Sequence, residues 1–308
     1  MTEANVHDAW NVFWERQSRR SGADAKRGSQ PEAWQGIAER QRRVWLGLAR
    51  TLPKGANVLD LATGDGMVLS CLQEKRRDLK LTGIDRATAL PNAPRGIKLR
   101  GGVNMADLPF PDDHFAAVTS QFGFEYGDIA AVASEVTRVL KPDGKFALLT
   151  HRIDGPIVAH NRKRRAQIAW ALEENDLVTV AKNSLSLRKA GIAAIPQAII
   201  EAPEMGAKAH GPNSAAWEIA EAIRQTLHFG RNDDPQQVAA LLDEILAQAR
   251  NELGRIASLE VAAATASDSE SMLEAMEKAG LREAEQAMVT DGRSPSPFAD
   301  YWVFILAD

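Results

Sequence analysis

Two close glycines and a carboxylate at a strand end give this chain its first chemical signature. In NVLDLATGDGMVLSCLQEKRRDLKLTGID, residues 57–85, an apolar strand enters a turn holding Gly64 and Gly66. A helix follows, then a second apolar strand closed by Asp85. Glycines without a Cβ let the backbone turn sharply and lie against a ligand. A carboxylate closing the second strand offers two oxygens to the paired hydroxyls of a ribose. The unit is therefore suited to hold a nucleoside. Further on, Gln121, Phe122, Phe124, Glu125 and Tyr126 cluster past another apolar strand, and His151 directly follows a fifth. Histidine is the side chain best matched to proton transfer near neutral pH, although most histidines serve structure or surface. Glu125 can hold an ammonium, accept a proton, or simply open a helix, where the dipole favours acids. Tyr126 can orient a substrate through its hydroxyl.

The nucleoside is not specified by a dinucleotide fingerprint. That pattern needs a third glycine for close helix packing, and its place is taken by Leu69. What fits instead is Asp60, Ala62, Gly64 and Gly66 at alternate positions. This resembles the first motif of the class I S-adenosylmethionine-dependent methyltransferases. VNMADLPFPDDHFAAV, residues 103–118, is similar to that family's third-motif region. TRVLKPDGKFALLTHR, residues 137–152, is similar to the helix, turn and strand of its small-molecule branch, the methyltransferase type 11 or ubiquinone/menaquinone methyltransferase-like group. The resemblance spans residues 57–152. It implies S-adenosyl-L-methionine as cofactor, held by Asp60, Ala62, Thr63, Gly64, Gly66, Asp85, Arg86, Asn104, Met105 and Gln121. It further implies an acceptor site near the end of the fourth strand, with Phe122 and Phe124 lining it or packing beneath it. His151, Glu125 and Tyr126 are then the catalytic candidates. Three positions depart from the pattern. Ala62 replaces the usual first glycine. Asn104 stands where relatives carry an aspartate for the adenine amino group, and its amide oxygen still accepts that bond. Ala116 replaces a common aspartate, with no reading to offer.

These residues need elements to position them. The pattern predicts strand 57–61, helix 65–76, strands 80–85, 97–101 and 115–121, helix 127–140 and strand 145–150. The resembled family's pattern would finish with a helix, here 269–279, and an antiparallel pair at 281–289 and 300–307. Strands alternating with helices imply a parallel sheet with right-handed crossovers. The resemblance makes the fold α/β, Rossmann-like and doubly wound, mostly parallel with an antiparallel last strand. Ahead of it, Val6, Trp10, Phe13 and Trp14, then Trp34, Ile37, Val44, Trp45 and Leu48, mark two amphipathic helices joined by a polar link near residues 21–30. The resemblance makes this N-terminal segment, 1–50, a cofactor cover, with Trp14 on the substrate side. The cofactor-binding domain is then 51–152 with 269–308. A helical insertion fills 153–268, with helices at 161–174, 176–189, 214–228 and 235–264 and an irregular link over 191–213, where Pro196, Pro203 and Pro212 fall. It reads as a substrate lid or, alternatively, a dimerisation arm.

Composition narrows the rest. The chain has 308 residues, 44% hydrophobic, and a net charge of −4. That argues against a nucleic-acid partner held through phosphates. The basic run Asn161-Arg162-Lys163-Arg164-Arg165 reads as a solvated helix start, or as a clamp for a substrate anion. The single Cys71 is a packing residue and excludes an intrachain disulfide. No metal-ligand spacing is present. The N-terminus lacks a signal-peptide pattern and no apolar run is long enough to span a membrane, so a cytoplasmic protein is expected. The expected function is methyl transfer to a small molecule. The rival readings are a cofactor-binding protein without activity, and a methyltransferase of RNA or protein.

Overall fold

The computed structural model describes residues 9–15, 32–188 and 194–307. Val6 and the expected link at 21–30 lie outside them, as does the Trp34 side chain. In chain order come helix α1 (9–15), α2 (Glu32–Thr51), strand β1 (Asn57–Leu61), α3 (Met67–Lys75), β2 (Lys80–Ile84), β3 (Ile97–Arg100), β4 (Phe115–Gln121), α4 (Ile129–Val139) and β5 (Leu140–His151). A helical stretch follows: α5 (Pro156–Ala169), α6 (Leu177–Arg188), α7 (Gln197–His210), α8 (Ala215–Phe229) and α9 (Pro235–Ser267). Then α10 (Ser269–Lys278), β6 (Leu281–Val289) and β7 (Ala299–Leu306) return to the sheet.

The described strands form one sheet in the order β3-β2-β1-β4-β5-β7-β6. The first five are parallel, and β7 runs antiparallel to both neighbours. Because β1 is flanked by β2 on one side and β4 on the other, the strand order reverses between β1 and β4. A crevice opens there at the carboxyl ends, the usual ligand position in such sheets. The alternation of side chains divides the core between two faces. Val58, Ala117, Ala147, Leu149 and Val303 pack with α2 and α3 on one. Leu59, Leu61, Val118, Phe146, Leu148 and Phe304 pack with α4 and α10 on the other. The fifth strand starts earlier than the sequence suggests. Leu140 pairs with Phe115, the pairing then shifts, and Lys145 resumes it against Ala117, so Lys141–Gly144 is an irregularity within β5.

The chain divides into two compact units, Met1–Val158 with Ser258–Asp308, and Ala159–Ala257. The second unit is built of helices around Trp170, Val178, Ala181, Ile199, Ala202, Ala220, Ile223 and Leu242. Here one expectation is corrected. The stretch 191–213 is not irregular throughout, since α7 occupies Gln197–His210 with Pro203 inside it. Pro196 precedes the helix as its cap, and Ile199, Ala202, Pro203 and Gly206 form its buried stripe. A Cβ at Gly206 would come within 3.1–3.2 Å of backbone atoms of Ala216 and Trp217, so the glycine lets α7 approach α8 closely. Tertiary packing has overridden the propensity cost of an internal proline. In the basic run, Arg164 is held by Glu252 and Glu218 of the same unit, which leaves it no role as a free anion clamp.

Candidate functional site

The turn after β1 concentrates unusual backbone. Ala62, Gly64 and Gly66 have φ of 50°, 53° and 73°, in the left-handed region. A non-glycine residue there costs about 1 kcal/mol. The Ala62 methyl fits because residue 123 is glycine; a Cβ there would collide with it. The Thr63 N–H donates to the Ile84 carbonyl at 2.8 Å, and the Gly66 N–H to the Thr63 carbonyl at 2.9 Å, which pins the turn beside β2. Gly83 of β2 leaves the room Thr63 needs, since a Cβ there would run into the Thr63 side chain.

Asp85 sits against this turn. Its Oδ2 accepts from the Gly64 N–H and its Oδ1 from the Ala87 N–H, both at 2.9 Å. Each oxygen retains a lone pair, so the carboxylate is oriented yet able to accept two hydroxyls. Burial raises its pKa, while the backbone N–H groups pull the other way. Asp60 is 1% exposed and accepts from the Thr119 hydroxyl at 2.7 Å. Its Oδ2 and the Thr63 Oγ1 have no hydrogen-bond partner among the described residues. Burial pushes the Asp60 carboxyl up to about 7, against the pull of the Thr119 hydroxyl bonded to it. A fully buried carboxylate with an orphaned oxygen, next to an orphaned hydroxyl, is what a site awaiting a polar or cationic ligand looks like.

A second cluster forms where β4 and β5 end side by side. Glu125, 3% exposed, accepts at Oε1 from the His151 backbone N–H at 2.9 Å and lies 2.8 Å from His151 Nδ1. A carboxylate on Nδ1 fixes that nitrogen as the protonated one and leaves Nε2 to accept a proton. Phe122 stacks on the imidazole, centroids 4.1 Å apart, and adopts φ 55° to do so. Tyr126 meets the same ring edge-on at 6.1 Å. Sequence reasoning named these residues singly and missed the Glu125–His151 pair. The available signal was their shared place, past the ends of strands adjacent in the expected order.

The other expected site residues fare unequally. The Gln121 amide oxygen accepts from Trp45 Nε1–H at 2.7 Å, which leaves it one lone pair and its NH₂ to face a ligand. Asn104 uses Oδ1 to cap the Ala106 N–H at 3.1 Å, leaving one lone pair. Met105 is half-buried against the core beneath Gly127, and Arg86 is exposed. Phe124 is fully buried, edge-on to Phe146 at 5.3 Å, which favours the packing alternative. The Trp14 indole lies on Gly64, where a Cβ would collide with it, beside the turn after β1.

Among the described residues there is no cluster able to hold a metal ion, and no helix long and apolar enough to cross a membrane.

With this geometry in place, the likeness to known proteins has a physical basis. A demethylmenaquinone methyltransferase of Thermotoga maritima is 38% identical over 129 residues, covering 39% of this chain and 56% of that protein. Its counterpart in Thermus thermophilus is 37% identical over 118 residues, covering 36% and 52%. The chain thus spans about half the length of the curated relatives it matches. The solved geranyl diphosphate C-methyltransferase of Streptomyces coelicolor is 16% identical, covers 48% of this chain and 65% of its own, and has a TM-score of 0.37. The family model described as a methyltransferase domain matches residues 59–148, the stretch holding the Gly-rich turn, Asp85 and Glu125. That stretch is similar to a methyltransferase domain.

Proposed function

We propose that this protein transfers a methyl group from S-adenosylmethionine to a small acceptor that carries a proton to be lost, with His151 as general base. The observation that carries the reading is the Glu125–His151 pair at the carboxyl ends of β4 and β5, on a stretch similar to a methyltransferase domain. When bound, the cofactor supplies a methyl on a sulfonium for in-line displacement. The residues present fit it. Asp85 is oriented for the ribose, Asn104 has a lone pair for the adenine amino group, and the unpartnered Asp60 Oδ2 and Thr63 Oγ1 suit its polar end.

His151 would take the acceptor proton at Nε2, while Glu125 holds the ring and stabilises the imidazolium. Phe122 and Tyr126 present aromatic surface on that side, which favours a planar acceptor with an acidic hydroxyl or C–H. A quinol-type ring meets this description, and the relatives' names are consistent with it.

The test begins with calorimetric titration of S-adenosylmethionine, S-adenosylhomocysteine and NADH. Micromolar binding of the first two alone is expected, and Asp85→Ala should weaken it at least about tenfold by removing two charge-assisted bonds. With labelled cofactor and a panel of hydroxylated aromatic and quinol acceptors, His151→Ala should abolish transfer while cofactor affinity holds. Transfer at the wild-type rate in that variant would remove His151 from the mechanism.

A further inference from the structure

One short helix touches three of the loops that make the site. From α1, Trp14 lays its indole on Gly64 in the turn after β1. Asn11 Oδ1 accepts from the Thr88 N–H at 3.1 Å, just past Asp85. Trp10 packs edge-on to Tyr126 at 5.9 Å, and Phe13 bridges the two tryptophans, 5.6 Å from Trp10 and 5.0 Å from Trp14. An unbroken run of rings therefore extends from the Gly-rich turn through Trp14, Phe13, Trp10 and Tyr126 to His151.

We infer that α1 is an intramolecular competitor of the cofactor, with Trp14 as the competing group; this rests on the cofactor reading above. Gly64 meets Asp85 and Trp14. Its N–H is already committed to Asp85, and the space freed by its missing Cβ is filled by the indole. A nucleoside that binds by lying against this glycine must first displace the ring. The protein then binds cofactor only from the fraction of molecules in which α1 has lifted, and the observed affinity is the intrinsic one multiplied by that fraction. Anything that loosens α1 without entering the space over Gly64 tightens binding. Asn11 supplies such a lever, because its hydrogen bond to Thr88 holds the helix yet lies outside that space. Trp10 extends the consequence to the acceptor side, since lifting α1 also uncovers the Tyr126 ring.

The direction of the effect separates this from a helix that clamps the cofactor, for which every loosening variant binds more weakly. Wild type, Trp14→Ala and Asn11→Ala are titrated calorimetrically with S-adenosylhomocysteine, after thermal melting shows each variant folded. Both variants should bind at least about fivefold more tightly, with the gain in the association rate measured by stopped flow. Wild type should also show a tryptophan emission change on binding that Trp14→Ala lacks. Equal or weaker binding by Asn11→Ala overturns the inference, even where Trp14→Ala does not fold. Absence of binding in all three proteins fails the cofactor reading itself and takes this inference with it.

Discussion

Replacing Asp60 with asparagine should stabilise the fold above neutral pH and weaken cofactor binding. The carboxyl is 1% exposed, and burial holds its pKa near 7 against an ordinary 3.8. As pH rises from 4 to 7, the unfolded chain gives up this proton while the folded chain keeps it, so stability falls. At about 1.36 kcal/mol per unit over roughly three units, the loss approaches about 4 kcal/mol above pH 7. Asparagine removes the loss at little structural cost. Its Oδ1 can still accept from the Thr119 hydroxyl, now at 2.7 Å, and its NH₂ can donate to the unpartnered Thr63 Oγ1. Chemical unfolding of both proteins from pH 4 to 8.5 measures the difference. The curves should nearly coincide at pH 4, diverge through the window, and run parallel above pH 7 with the variant more stable. A variant less stable at pH 8, or a constant offset across the range, would refute the assignment of that loss to Asp60. A more stable variant that binds S-adenosylmethionine less well would show that the buried charge is kept for function.

The remaining predictions concern the base and the packing. Glu125→Gln keeps an oxygen for the His151 backbone N–H but loses the charge that holds Nδ1–H; kcat should fall about 100-fold or more with cofactor affinity unchanged, as rates and calorimetry would show. Gly83→Ala should loosen cofactor binding, because its methyl must push Thr63 and the turn it anchors; normal affinity would release Thr63 from the site. Phe124→Ala should destabilise by about 3–5 kcal/mol in chemical unfolding, the cost of emptying a buried aromatic position. A loss below about 1 kcal/mol would return Phe124 to the pocket.

Much of the fold was legible because the nucleoside half is written in short-range signals. The apolar runs at 57–61 and 115–121, the glycines between strand and helix, and the carboxylate at Asp85 each follow from local chemistry, and the parallel sheet follows from their alternation. What stayed hidden depends on contacts distant in sequence. Ala62 looked like a mild departure; its methyl in fact needs Gly123, some sixty residues on. Gln121 could not be known to spend its oxygen on Trp45. Phe122 and Phe124, two apart in one loop, have opposite fates because a short turn of 3₁₀ helix at Phe124–Tyr126 aims one at His151 and the other at Phe146. The proline-bearing stretch at 191–213 misled because Pro203 is judged locally as a breaker, while α7 is stabilised by its buried stripe against α8.

The placement of β7 sets a timetable for synthesis. β5 is buried along Phe146–His151 and completes its pairing only when Ala299–Leu306 lies alongside it, with Lys145 opposite Ile305 and His151 opposite Ala299. About 150 residues separate the end of β5 from the start of β7, so at roughly 5–20 residues per second the ribosome takes about 7–30 s to deliver the missing strand. For that interval the nascent chain carries an apolar strand with one unsatisfied edge, the kind of edge that recruits strands from other chains. The helices of the intervening unit close mainly local contacts and can fold during the wait. The sheet must stay open until they are done, so yield in the cell should depend on chaperones that shield β5 and on the speed of translation through residues 152–298.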